Sequence, residues 1–278
     1  MVFTVSSWHR QVRLNEDTDV MFVQLCFKRC SVRALLHNVV QQPATETSTF
    51  SIFGRFPGAR KQTSQSDMSK ERRVLQYVLQ TASRGDPDSV LAAVDKYGRE
   101  KEWNMSVGDE KGAILDRFVK ERAPQTMLEL GTYMGYSAVR MVRLLPQGAK
   151  FITVEVNQDN AAVAKEIIAF AGLQDRIIQV LAETAEVIPQ LKSKFNVESF
   201  DMVFIDHWKD FYLRDIKLLE QNKLLRKGTV VVADNIIFPG APDYADYVRT
   251  CGKYESTFHE GKINGKKPDG MEKSVYRG

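Results

Sequence analysis

The sequence is poor in cysteine, and the three it has are not spaced for pairing. Cys26, Cys30 and Cys251 form no CxxC motif and no even framework, which excludes a thiolate zinc site and a disulfide scaffold. A reducing, cytoplasmic compartment is the simpler expectation. The chain also lacks a long apolar run: "VMFVQLCF", Val20 to Phe27, is followed at once by Lys28-Arg29 and falls far below the roughly 20 residues needed to cross a bilayer. No positive stretch with a small-residue cleavage site marks a secretory signal. Charge of one sign is lacking from most of the chain. The net +4 lies within Met1 to Ser66, where eight Lys/Arg face four acids, and the remaining 212 residues balance 31 against 31. A balanced body has no basic face for nucleic acid, so no nucleic-acid partner is expected.

What is present is enough for one substantial core: 278 residues, 43% hydrophobic and 27% charged. Between Gln41 and Asp67 the chain is rich in Gln, Ser, Thr, Pro and Gly without helical or alternating pattern, so residues 1–66 are expected to be a basic, disordered extension and linker, and 67–278 the folded domain. A basic segment of this kind can rest on an anionic membrane surface, so a peripheral membrane contact is a second expectation for it; Glu16, Asp17 and Asp19 argue against a transit peptide.

From Met68 the pattern becomes regular. "SKERRVLQYVLQTA" places Val74, Leu75, Val78 and Leu79 on one stripe, and "GDPDSVLAAVDKYG" follows with Asp86 as cap and Pro87 at the first helical position, so two helices are expected before the first strand. Strand and helix then alternate: "QTMLELG", "YSAVRMVRLL", "KFITVEV", "NAAVAKEIIAFAG", "RIIQVLA", "AEVIPQLKSKF", "FDMVFID", "YLRDIKLLEQNKLL", "GTVVVAD". Apolar strands separated by helices imply an α/β, Rossmann-like, doubly wound and mostly parallel sheet. Ligands of such sheets collect beyond the carboxyl ends of the strands, and Glu129, Glu155, Asp206 and Asp234 are each expected to close one.

"LELGTYMGYS", Leu128 to Ser137, links the first strand to the next helix. Gly131 and Gly135 would let backbone pass close to a ligand, with Ser137 at the helix start. The dinucleotide fingerprint GxGxxG is absent, and Glu129 just before the glycine would repel phosphate while suiting an amine-bearing ligand. Glu155, about 20 residues beyond the glycines, stands where an acid accepts ribose hydroxyls. Ribose without pyrophosphate points to S-adenosyl-L-methionine. Asp206 and Asp234-Asn235 end the fourth and fifth strands, so two carboxylates and an amide oxygen are delivered to one side of the crevice, a donor set for a hard cation, most simply Mg²⁺. Lys209 would stand beside that cation, where like charge disfavours the ammonium form and suits a general base. Trp103 and Trp208 offer flat walls for an aromatic substrate. His207 is read as a contact on the adenine side rather than as a metal ligand.

The blocks "EWNMSVGDEKG", "LELGTYMGYSAVRMVRLLPQGA", "MVFIDHWKDFYLRD", "LLRKGTVVVADNIIFPGAPD" and "DGMEKSVYRG" together resemble the catechol O-methyltransferase family over about Met68 to Gly278, and not over residues 1–66. The resemblance implies a Mg²⁺-dependent class I methyltransferase with a C-terminal antiparallel hairpin, moving a methyl group from S-adenosyl-L-methionine to one hydroxyl of a small-molecule catechol such as a catecholamine or catechol estrogen. It implies Asp206, Asp234 and Asn235 as metal ligands and Lys209 as base. Val107, Glu129, Gly131, Tyr133, Ser137, Glu155 and Val156 would line the donor site, Asp206 would reach it too, and Thr184, His207 and Trp208 would lie near the adenine. Trp103, Trp208 and Pro239 would grip the catechol ring, with Lys209, Asn235 and Asn264 also facing the substrate. The chain departs from the family at three places. Met134 stands for a cysteine, Thr184-Ala185 for a serine and a glutamine, and Ile263 or Asn264 for the glutamate that grips the second catechol hydroxyl; a lost charged hydrogen bond of that kind costs about 1.5–3 kcal/mol. Two rival readings share these motifs: a non-catalytic binding or trafficking protein on the same fold, and an O-methyltransferase for another vicinal diol.

Overall fold

Helices begin where a short polar side chain can take up the free amides of a first turn, and two such caps open the folded domain. Ser69 accepts from the Arg72 amide at the start of α1 (Lys70–Thr81), and Asp86 accepts from Asp88 and Ser89 at the start of α2 (Pro87–Glu100), with Pro87 in its first turn. Val74, Leu75 and Val78 bury the stripe of α1, whereas Leu79, expected beside them, is carried one step round the helix and is exposed. The computed structural model describes residues 68–263 and 265–278; the extension and linker expected over 1–66, the membrane contact suggested for them, and Asn264 lie outside the described residues.

Among the described residues three helices, not two, precede the first strand. The additional one is α3 (Gly108–Arg122), and its inner face explains why periodicity alone hides it: Lys111, Gly112 and Asp116 are buried there along with Leu115, Phe118 and Val119. Polar residues on the inward side blunt the apolar stripe.

The strands and helices then alternate as expected: β1 (Thr126–Leu130), α4 (Tyr136–Val142), β2 (Lys150–Glu155), α5 (Gln158–Phe170), β3 (Ile177–Leu181), α6 (Thr184–Val187), α7 (Leu191–Phe195), β4 (Phe200–Ile205), α8 (Tyr212–Gln221), β5 (Leu225–Ala233), α9 (Pro242–Thr250), β6 (Tyr254–Ile263) and β7 (Lys267–Tyr276). "AEVIPQLKSKF", expected as one helix, is broken into α6, a 3₁₀ turn over Ile188–Gln190 and α7, because Pro189 has no amide to continue the ladder. "YLRDIKLLEQNKLL" stops at Gln221, and Leu224 and Leu225 turn away to begin β5.

The sheet runs β3-β2-β1-β4-β5-β7-β6, with the first five strands parallel and β7 and β6 antiparallel. The order reverses between β1 and β4, so the crevice of a doubly wound sheet falls there. Both faces are covered, and the residues alternate between them as a period of two requires. Met127, Phe151, Met202, Phe204, Val230 and Val232 pack with α1–α5, while Leu128, Ile152, Val203, Ile205, Val231 and Ala233 pack with α6–α9. Glu129 shares the parity of Met127, and Asp206 and Asp234, one residue past their strands, continue the parity of Phe204 and Val232. Three acids are thereby directed to one side of the sheet.

Phe204 is fully buried at the centre of that side. Phe204→Ala is expected to lower stability by about 3–5 kcal/mol, read as a drop in urea midpoint at unchanged slope; a loss under about 1 kcal/mol would show that this layer is not tightly packed.

Candidate active site

The end of β1 is built around an acid that water cannot reach. Glu129 is one residue short of the strand end, not at it, and is fully buried. Thr153 Oγ1 on β2 donates to its Oε2 at 2.5 Å, and the Thr132 and Thr153 hydroxyls are themselves 2.5 Å apart. Its other oxygen, Oε1, has no partner of full hydrogen-bond geometry among the described residues, although the Ser137 hydroxyl is near enough to the carboxyl to work against the rise in its pKa. Burial pushes the Glu129 carboxyl up to about 8, and the negative charges of Asp206 and Glu155 act in the same direction. An orphaned carboxylate oxygen at a glycine loop fits a ligand that brings a donor of its own, such as an ammonium group.

Gly131 takes φ 102°, and the structure gives it a reason besides the one expected. A Cβ there would stand 2.6 Å from the Asp206 carbonyl oxygen and 2.8 Å from the His207 nitrogen, so the glycine lets the first loop pack onto the peptide that follows β4. Tyr133 is left-handed too, at φ 48°. Its amide donates to Glu155 Oε2 at 2.7 Å and its hydroxyl to Glu71 Oε1 at 2.6 Å. Glu155 closes β2 and takes the Asn157 amide on Oε1 at 2.8 Å, so each of its oxygens already holds the loop and keeps a lone pair for a ligand. Val107 is buried at the start of α3, Ser137 is buried in the first turn of α4, and Val156 is exposed just past β2.

The second half of the site lies at the ends of β4 and β5. Ile205 pairs with Ala233, and the Asp234 amide donates to the Ile205 carbonyl at 3.0 Å, so Asp206 and Asp234 leave adjacent strands at one level. Asp234 is buried, and Lys111 Nζ donates to both its oxygens at 2.7 and 2.8 Å. Burial, then the like charge of Asp206, pushes the Asp234 carboxyl up to about 6 against the pull of Lys111 and Lys209. Burial works against the charge of Lys111 as well, but Asp234 and Asp269 outweigh it and hold that ammonium above its ordinary range. Lys209 Nζ donates to Asp206 Oδ1 at 2.9 Å and to the buried Tyr212 hydroxyl at 2.6 Å, and Tyr212 donates on to the Asp234 carbonyl at 3.3 Å. Asn235 follows in a left-handed conformation, φ 57°, and its Nδ2 donates to Asp269 Oδ2 at 2.8 Å.

Among the described residues no three His, Cys, Asp or Glu side chains cluster as a metal site. The donor set here is of another kind, two carboxylates and an amide. Asp206 is paired with Lys209, Asp234 and Asp269 share Lys111, and the like charge of Asp206 raises Asp234. Excess negative charge on hard oxygens fits a hard divalent cation.

The remaining expected residues are more scattered. His207 Nε2 is 2.7 Å from Asp215 Oδ2, and its ring stacks on Tyr212 with centroids 5.2 Å apart. The Thr184 hydroxyl donates to the same Asp215 oxygen at 2.5 Å and accepts from Arg214 at 2.8 Å, so it is committed to the protein rather than open to an adenine edge. Trp208 is 65% exposed, with Nε1 donating to Asp210, and Trp103 is 46% exposed, with the Lys70 ammonium 5.4 Å above its ring. Pro239 is exposed in the irregular turn Ile236–Gly240. Direct contacts therefore unite Asp206, Lys209, Asp234 and Asn235 through Tyr212, Lys111 and Asp269. No such contact ties Trp103 or Pro239 to them. A cavity of about 510 Å³ between α9 and that turn, lined by Ile236, Ile237, Ala245, Arg249 and Phe258 among others, includes none of the expected site residues.

Lys111 and Asp269 escaped the reading of the sequence. A signal existed for the first: Lys111 stands at helical spacing from Leu115, Phe118 and Val119, on the face that must be buried. Asp269 carries no local signal, because its partners are 31 to 158 residues away.

Comparison with known proteins gives a consistent result. The O-methyltransferase family model matches residues 81–249. Catechol O-methyltransferase of Bos taurus is 54% identical over 211 residues, 76% of this chain and 78% of that protein, and the Mus musculus protein of the same name is 52% identical over 211 residues, 76% and 80%. Among solved structures, the O-methyltransferase TomG from Streptomyces achromogenes superposes with a TM-score of 0.59 at 22% identity, covering 76% of this chain and all of that one.

The raised Glu129 carboxyl makes a prediction about stability without any ligand. A carboxyl that holds its proton in the folded state to about 8, against an ordinary 4.5, stabilises fully below the lower value and is lost as pH rises through the higher one. Glu129→Gln is therefore expected to match the wild type in urea unfolding at acid pH and to exceed it at alkaline pH. Parallel pH profiles for the two proteins would show that Glu129 is ionised throughout.

Proposed function

The chain belongs to the O-methyltransferase family, and from that premise we propose that it transfers the methyl group of S-adenosyl-L-methionine to one hydroxyl of a catechol at a Mg²⁺ site. The observation that carries the reading is the meeting of Asp206 and Asp234 at adjacent strand ends, with Lys209 on the first. Asp206, Asp234 and Asn235 would hold the cation. Bound there, Mg²⁺ supplies positive charge that favours the ionised form of a catechol oxygen.

Every other task falls to the chain's own groups. Glu129 offers an unpartnered buried oxygen to the donor's ammonium, and Glu155 offers its remaining lone pairs to ribose hydroxyls. Val107, Gly131, Tyr133, Ser137 and Val156 would line the donor site with those two acids, and His207, Trp208 and Thr184 would lie toward the adenine, Thr184 through packing because its hydroxyl is engaged. Trp103, Trp208 and Pro239 are exposed flat surfaces suited to an aromatic ring. Lys209 Nζ is the group placed to receive the proton of one hydroxyl, and Tyr212 keeps that nitrogen in place. The oxygen then bonds to the methyl carbon as the carbon–sulfur bond breaks. An oxyanion and a sulfonium both become neutral, so alignment and exclusion of water are what the site must provide.

Ile263, the last residue of β6, or Asn264 after it stands where the resemblance expects a glutamate; neither carries a charge, and that favours diols that do not depend on a charged grip at the second hydroxyl. No helix among the described residues is long and apolar enough to cross a membrane. The cytoplasmic setting rests on the cysteine spacing and belongs to the proposal.

Mass spectrometry of products from isotopically labelled donor and a panel of catechols tests the reading; no methylated product from any of them would refute it. Lys209→Ala is expected to lower kcat by about 10²–10⁴ while cation binding persists, and undiminished turnover across the pH range would remove the base role. Asp206→Ala is expected to abolish metal-dependent activity, and wild-type activity that survives a chelator would sink the Mg²⁺ site.

A further inference from the structure

One buried carboxylate holds both Asn235 and the lysine that sits on Asp234, and the proposed reaction gives it no role. Asp269, on β7, is 1% exposed and accepts four hydrogen bonds. Its Oδ2 takes Lys111 Nζ at 2.7 Å and Asn235 Nδ2 at 2.8 Å, and its Oδ1 takes the Ile237 and Phe238 amides at 3.1 Å each. We propose that Asp269 is a positioning residue that assembles the cation site in advance, by orienting Asn235 and by taking a share of the Lys111 charge so that part of the charge of Asp234 is left for the cation. The inference rests on Asp206, Asp234 and Asn235 being that site.

Each part follows from geometry. An amide carries its oxygen and nitrogen on opposite branches of one plane, so engaging Nδ2 of Asn235 turns Oδ1 away from Asp269 and leaves it as the free end. Lys111 would otherwise be a single ammonium lying across both oxygens of Asp234, a resident competitor for any added cation. Shared with Asp269, its single charge is only partly spent on Asp234. The two amides on Oδ1 fix the turn Ile236–Gly240 at the same time, and so fix where Asn235 starts.

The surrounding backbone is shaped to admit this network. Gly261 on β6 pairs in register with Asp269, and a Cβ at Gly261 would stand 2.7 Å from Lys111 Cγ, so that glycine makes the room through which the lysine stem passes. A Cβ at Gly270 would stand 2.4 Å from the His259 carbonyl oxygen. The residue after Asp269 is thereby pressed against β6, and the carboxylate has little freedom to drift.

The test uses the full chain and Mn²⁺, titrated by its paramagnetic resonance signal, with S-adenosyl-L-methionine affinity measured by calorimetry in parallel. Outer partners of metal ligands typically contribute 10–100-fold in affinity, so Asp269→Asn is expected to weaken Mn²⁺ by about that factor while donor affinity changes less than about twofold. Lys111→Met removes the competitor and is expected to bind Mn²⁺ at least as tightly as the wild type, with a lower Tm that added Mn²⁺ restores. A purely structural role would instead weaken metal and donor together in both variants, and that outcome overturns the proposal. So does an Asp269→Asn protein that binds Mn²⁺ like the wild type. Should Asp269→Asn fail to fold, Lys111→Met decides alone: weaker Mn²⁺ binding overturns the inference and undiminished binding sustains it. A wild type that binds no Mn²⁺ removes the cation site itself, and this inference with it.

Discussion

Like charges brought together by strand pairing are the constraint on which this molecule depends. The parallel registry of β4 with β5 delivers Asp206 and Asp234 to one level of the crevice, and the antiparallel return of β7 adds Asp269 behind them. Buried carboxylates without compensation would reject one another or take up protons. Lys111 and Lys209 supply the compensation from α3 and from the loop after β4. Their two charges fall one short of the three they meet, and that residual negative potential is what makes the place receptive to a divalent cation.

The donor side uses the opposite strategy. Glu129 has hydroxyls rather than cations for neighbours, so it pays in protonation for being buried, and it keeps one oxygen unmatched. Two acids two strands apart therefore behave differently: Asp234 is held by an ammonium, and Glu129 awaits one. Gly131 joins the two halves, since only a residue without a side chain lets the first loop lie against the Asp206–His207 peptide. A substitution there would disturb both ends together.

The fold was largely legible in the sequence because its evidence is local. Apolar strands alternating with helical stripes, Asp86 before Pro87, and turn residues between them each report on a few neighbouring positions, and the structure bears out the doubly wound sheet and the C-terminal hairpin. Local evidence failed where the inside of an element is polar, as in α3, and where a proline divides a stripe, as at Pro189.

The sequence by itself determined that Glu129, Glu155, Asp206 and Asp234 lie within one residue of the strand ends, that Lys209 follows Asp206 within one turn, and that the glycine loop carries no phosphate fingerprint, because backbone connectivity confines those relations to short spans. Only the tertiary structure decided that Lys111 and Asp269 belong with Asp234 and Asn235, that Thr184 spends its hydroxyl on Asp215, and that Gly131 serves a loop contact. Those relations join side chains from separate elements, up to 158 positions apart, and their partners become neighbours only after the sheet has closed.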